Sequence, residues 1–210
     1  MASIDVQVEA DTDDCRCYWN GSNWIFSASD NYEPIAGWYS ADFAKYGGGI
    51  RFSGITIPTG AKITAAYLTI TCSLASAITA VNSVIIGEQS EVAATFSDLA
   101  DYQARRGTIV DGADDTHITT ASVNWNNIAG WALDSPYNSI DIKTILQELV
   151  DDYSGLTNAD IVLFWDDHAD NSDHNTNCRR LSYSHSQDDT KAAKLHIDYT
   201  LGRSQGFIIG

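Results

Sequence analysis

The sequence predicts an all-β fold: a two-sheet antiparallel β-sandwich, jelly-roll-like, with one or two short helices. Three observations predict it. Short β-type runs recur along the 210 residues, divided by clusters of Gly, Asn, Asp and Ser, the spacing of sandwiches and barrels. Two of the runs alternate apolar and polar residues with the period of half-buried strands. Only one stretch carries a full apolar stripe at helical spacing.

The predicted strands are residues 15–19, 24–27, 49–52, 63–72, 84–88, 121–125, 161–165, 181–184 and 195–200. Gly47, Gly48 and Gly49 read as a flexible lead into the third. That run has no following Lys or helix, so it is not a phosphate loop. In 63–72, Ala66, Leu68, Ile70 and Cys72 share a face with Thr64, while Tyr67, Thr69 and Thr71 point the other way. Residues 161–165 are apolar throughout and are expected at a sheet centre. In 195–200, Leu195, Ile197 and Tyr199 alternate with His196, Asp198 and Thr200. Leu68, Ile70, Leu163, Leu195 and Ile197 are the expected shared core. The helix is marked by Ile142, Ile145, Leu146, Leu149, Val150 and Tyr153, with Ser139 or Asp141 to cap its start and Gly155 past its end. It is expected to close one side of the sandwich. Residues 96–106 suggest a second, shorter helix. No linker divides the chain, so residues 1–200 read as one domain and 201–210 as a tail.

Charge excludes some partners. The chain has 28 Asp+Glu against 12 Lys+Arg, net −16. Such a surface repels phosphate backbones and anionic lipid, so nucleic acid is not an expected partner. No stretch approaches the ~18 apolar residues of a membrane span. The N-terminal residues have neither a basic nor an apolar leader, so no signal peptide is visible. The chain is then expected to stay where it is made, to leave by lysis, or to have lost its leader. Cys15, Cys17, Cys72 and Cys178 fit no zinc spacing. Cys15 and Cys17 share a strand face, poor geometry for a mutual disulfide, and all four are expected as buried free thiols.

The densest polar cluster follows 161–165 directly: Asp166, Asp167, His168, Asp170, Asp173 and His174. Three readings stand. It is a solvated acidic loop; or Asp166, Asp167, Asp170 and Asp173 hold Ca²⁺, which takes oxygen ligands from flexible loops, alone or joined by the Asp11–Asp14 segment; or His168 and His174 bind Zn²⁺. Asp11, Asp13 and Asp14, and likewise Asp111, Asp114 and Asp115, read as turn chemistry. Paired carboxylates leave a glycosidase-like pair open, but no nucleophile elbow, zinc helix or Cys/His signature appears, so no catalytic residue is assigned. Aromatics offer another chemistry, since exposed flat rings stack on sugars. Trp19, Tyr46, Trp125, Trp131 and Trp165 are expected in the core. Trp24, Trp38 and Tyr39, in loop-like sequence, are the candidates for an exposed platform.

A family resemblance emerges from Gly49-Ile50-Arg51-Phe52, Ile55-Thr56-Ile57-Pro58, Gly60-Ala61 and Ile63-Thr64-Ala65-Ala66-Tyr67-Leu68. These resemble the opening of DNRLRE-type and related carbohydrate-binding-module domains. Val123-Asn124-Trp125, the helix after Asp141, and Leu195-His196-Ile197-Asp198-Tyr199 fall where that family has corresponding elements; Ala192 or Ala193 replaces its usual Pro. The resemblance spans about residues 5–200 and rests on structural motifs. It implies a jelly-roll sandwich, often with Ca²⁺, on secreted or surface proteins. The long form, with Asp13-Asp14-Cys15 and the 96–106 run, is similar to phage-like and environmental virion or surface proteins.

Three functions compete. The first is a non-catalytic structural or decoration protein on a virion or extracellular filament, a homo-oligomer or a partner of other virion proteins; assembly before lysis accounts for the missing leader. The second is a carbohydrate-binding module or adhesin with a glycan partner. The third is a polysaccharide-active enzyme. Phe207, Ile208 and Ile209 form an apolar, β-prone tip after the polar stretch 202–206. Such a tip is expected to be covered, by its own domain or by a neighbouring subunit.

Overall fold

A computed structural model describes residues 1–28, 34–40, 44–77, 81–107, 117–167, 170 and 172–201. Among them the order is β1 (Ala2–Gln7), β2 (Asp14–Trp19), β3 (Trp24–Ser27), β4 (Ile35–Gly37), β5 (Ala44–Ile57), β6 (Ala61–Thr71), β7 (Val81–Glu88), α1 (Leu99–Arg106), β8 (Ile118–Ile128), β9 (Pro136–Asn138), α2 (Lys143–Asp152), β10 (Leu156–Asp166), β11 (Arg179–Leu181) and β12 (Lys194–Leu201). The strands form the expected all-β sandwich of two antiparallel sheets. One sheet runs β1-β12-β6-β9; the larger runs β11-β4-β5-β10-β7-β8, with β2 also on β5 and β3 beyond it. The sheets meet at one corner, where Cys72 past β6 bridges Ser182 past β11.

The five expected core residues, Leu68, Ile70, Leu163, Leu195 and Ile197, are fully buried in one cluster between the sheets. β10 lies between β5 and β7, as its unbroken apolar run implies. Ile161, Leu163 and Trp165 enter the inter-sheet core. Val162 and Phe164 enter a second cluster on the opposite face, with Cys15, Cys17, Phe96 and Tyr102. The chain from Phe96 through α1 therefore roofs the outer face of the larger sheet. Asp98 caps α1 by accepting the Asp101 N–H at 2.9 Å, and Gly107 ends it at φ +76°.

Two expectations are corrected. The triglycine is no flexible lead but the middle of β5, where Gly47–Gly49 pair with β2 and with β10. Glycine is needed because a Cβ on Gly49 would collide with the Phe96 ring and one on Gly48 with Pro34 and the Cys15 carbonyl. Thr64 does not share the face of Ala66. Asp198 pairs with Ala65 but Tyr199 with Ile63, so Thr64 is the extra residue of a β-bulge. Past the bulge the faces exchange, and Ile63 and Ala61 turn to the core.

α2 closes one side of the sandwich by occupying strand edges. Gln147 accepts the Ile63 N–H (2.8 Å) and donates to the Ala61 carbonyl. Asp141 accepts the Ala66 N–H (3.1 Å) and also the N–H of Lys143, the first helical residue. Ser139 does not cap the helix; its hydroxyl accepts the Leu68 N–H. Glu148 accepts the Thr120 and Ala121 N–H groups of β8 at 2.6 and 2.7 Å. Edge groups of both sheets are thus satisfied by one segment, which blocks further strand pairing there. Gly155, at φ +98°, donates back to Val150 and ends the helix.

Candidate functional site

The carboxylates of the acidic loop have different fates. Asp166 is fully buried on the outer face of β10 and accepts from Arg106 Nε at 2.8 Å; its Oδ1 has no hydrogen-bond partner. Asp167 is also fully buried. Its Oδ1 accepts the Ser172 N–H at 2.8 Å, while Oδ2 has no partner. Burial, with the nearby charges of Asp170 and Asp166, pushes the Asp167 carboxyl up to about 6. Asp170 adopts φ +57°, donates its N–H to the Asp167 carbonyl and lies 3.0 Å from His174 Nε2. Asp173 is exposed. His168 lies outside the described residues, as do Asp111, Asp114 and Asp115. Among the described residues no three His, Cys, Asp or Glu side chains gather as a metal-holding group.

The Asp11–Asp14 segment divides likewise. Asp13 pairs with Arg51 at 2.9 Å, and the same arginine holds Asp160 at 2.7 Å. Asp14 is fully buried, accepts the His185 N–H with Oδ2 and leaves Oδ1 unpartnered. Burial raises its carboxyl to about 7. Asp11 holds His185 Nδ1 at 2.7 Å at an open pocket of about 440 Å³ that also carries Ser186 and Gln187. A carboxylate-oriented histidine beside a serine has the residue types of a nucleophilic triad. The Ser186 hydroxyl, however, bonds that of Ser184 at 3.1 Å.

The four thiols are buried and free, as expected. Burial pushes the Cys17 thiol up to about 12, which keeps it protonated and unreactive.

The aromatic candidates split into two places. Trp24 is half-buried on β3, edge-on to Trp19 at 5.6 Å and packed on the outer cluster. Trp38 and Tyr39 continue the chain from β4. Gly37 sets their course: it takes φ +115°, and a Cβ there would meet the Cys178 carbonyl, which accepts the Trp38 N–H at 2.7 Å. The Trp38 ring stacks on His174 (5.2 Å, 13°). Arg179 of β11, opposite Gly37, lies over the Tyr39 ring at 4.1 Å. Tyr46, Trp125, Trp131 and Trp165 are buried as expected, and Trp19 is half-buried. Residue patterning missed Arg179; the one signal was Arg179-Arg180 in so acidic a chain. Phe207, Ile208 and Ile209 lie outside the described residues.

Fold and site together define a two-sheet β-sandwich with a half-exposed aromatic and cationic face beside an acidic loop. No protein-family model matches the chain, and no curated protein matches it. No helix among the described residues is long and apolar enough to cross a membrane.

Proposed function

We propose that the protein is a non-catalytic structural or decoration subunit of a virion or extracellular filament surface, built on a carbohydrate-binding-like sandwich. The observation that supports this reading is the unequal treatment of the sandwich edges. α2 occupies the edges of β6 and β8, whereas at the other end of the smaller sheet no described strand pairs the outer edge of β1. An open edge is a template for another strand. Residues 207–209 of a second copy have the chemistry to add there, backbone bonds giving affinity and apolar side chains register. Such head-to-tail contacts give a ring when the rotation closes and a filament when it does not. Deleting residues 201–210 tests this: a folded monomer is expected where the full chain forms oligomers of fixed mass by light scattering. An unchanged mass would remove the tail from assembly.

Trp38 and Tyr39 support a second reading, a carbohydrate-binding module or adhesin. Consecutive half-buried rings offer apolar faces beside hydrogen-bonding groups, the chemistry of sugar stacking. Binding of the isolated monomer on a glycan array is the expected result.

Calcium belongs to either reading at Asp167 and Asp170. A cation there would compensate the unpartnered Asp167 oxygen. At a hundredfold excess over its dissociation constant it would stabilise the fold by about 2.7 kcal/mol. At pH 8, Ca²⁺ should raise the melting temperature of the parent and not that of Asp167→Asn; no rise in the parent refutes the site.

A further inference from the structure

Arg179 is unlike most of its fellow arginines. Arg51, Arg105 and Arg106 each grip a carboxylate, and Arg180 donates to the backbone carbonyls of Ile128 and Ala129. Among the described residues no carboxylate forms an ion pair with Arg179, in a chain where acids outnumber bases 28 to 12. Its Nε is buried without a hydrogen-bond partner, and Nη1 reaches the Tyr46 hydroxyl only at 3.5 Å. The guanidinium instead rests on π faces, 4.1 Å from the Tyr39 centroid and 5.6 Å from that of Tyr46. Tyr46 stacks on Tyr18 at 4.9 Å, and Arg16 lies 5.6 Å over Tyr18. Burial first, and the charge of Arg16 as well, hold Arg179 below its ordinary value. A desolvated guanidinium with no ion-paired carboxylate among the described residues gains most from an incoming anion, and its planar fork matches a carboxylate.

We propose that this face binds an acidic polysaccharide, with Arg179 taking a uronate carboxylate and the Trp38 ring taking a sugar face. Tyr39 is a positioning residue: its ring holds the guanidinium in plane. The proposal rests on the carbohydrate-binding reading and adds the charge of the ligand to it. The net charge of −16 opposes any polyanion, so the affinity has to come from the local guanidinium and ring contacts.

The test is calorimetric titration of the full chain with trigalacturonate and with maltotriose, at low and high salt, alongside tryptophan fluorescence. Trigalacturonate should bind tighter than maltotriose and weaken with salt. Arg179→Gln should lose at least about tenfold in trigalacturonate affinity, the scale of one charge-assisted hydrogen bond, and leave maltotriose within about twofold. Arg179→Lys, which keeps the charge and loses the fork, should fall between. If Arg179→Gln does not fold, judged by circular dichroism and melting, Arg179→Lys and the salt series on the parent decide. Equal affinity for the two sugars, unaffected at Arg179, overturns the acidic ligand and leaves the carbohydrate reading standing. Binding of neither sugar overturns both. Polyglutamate binding as tightly as trigalacturonate would make the site one for acidic peptides, and overturns the proposal.

Discussion

Replacing Arg106 with methionine breaks the most deeply buried ion pair among the described residues. Arg106 is 2% exposed and Asp166 0%, with 2.8 Å between Nε and Oδ2. The Asp166 Oδ1 already lacks a partner, and the fully buried Tyr102 hydroxyl makes no hydrogen bond either. Methionine fills much of the same space but leaves a carboxylate uncompensated in an apolar cluster. Breaking one side of such a pair costs about 3–5 kcal/mol. At roughly 2–4 °C per kcal/mol for a chain of this size, the melting midpoint should fall by about 10 °C. Adding Asp166→Leu should recover most of the loss, because the desolvation penalty goes with the charge. Lys143→Met is the control: its pair with Asp141 is about half exposed on both sides and should matter by less than about 1 kcal/mol. The assay is thermal unfolding of five proteins: the parent, Arg106→Met, Asp166→Leu and the double variant as a double-mutant cycle, and Lys143→Met as the control. An Arg106→Met midpoint within about 2 °C of the parent, or strictly additive substitutions, would refute the reasoning.

Three further outcomes are expected. Glu148→Ala should cost about 1–2 kcal/mol for its two strand-edge bonds and speed amide exchange at Thr120 and Ala121; unchanged exchange there would show that the helix does not cap β8. Burial holds Asp14 at about 7 and Asp167 at about 6, above an ordinary carboxyl near 3.8, so the folded chain keeps protons the unfolded chain has released. Those two groups therefore favour folding below about pH 4 and oppose it increasingly as pH rises through 6–7, by roughly 3–4 kcal/mol each; Asp14→Asn and Asp167→Asn should raise the melting midpoint at pH 8 and change little at pH 4. Gly49→Ala should cost about 1–3 kcal/mol by overpacking against Phe96, and Phe96→Leu in the same chain should relieve part of it; a neutral Gly49→Ala would mean the ring is free to move.

The fold was legible wherever a strand is long and its burial regular. β10 announced its central place by five consecutive apolar residues, and β12 by alternation. β4 and β9, three residues each, hold too few positions to show a period; their pairing is set by the strands beside them. The Thr64 bulge was hidden because Ala61, Ile63, Thr64 and Ala65 are small or apolar on both faces, and only the partner strand fixes which one is extra. The acidic loop was visible as density of charge, but the partners were not: Arg106 reaches Asp166 across 60 residues and Arg51 reaches Asp160 across 109. Nothing local encodes which carboxylates will be buried and paired, or that Arg179 will rest on tyrosine rings.

The placement of β10 has a consequence for the newly made chain. Its two neighbours, β5 and β7, are both synthesised earlier, as are both helices, yet β5 and β7 are held apart in the sheet by a strand that ends at Asp166. At 5–20 residues per second, the ribosome takes on the order of 10 s to travel from the end of β5 to the end of β10. During that interval Ile50, Phe52, Ile85 and Ile86 have no central strand to pack beside. A nascent chain in that state would gain from factors that shield apolar strands. A translational pause after β10 would be harmless, whereas one just before it would lengthen the exposure.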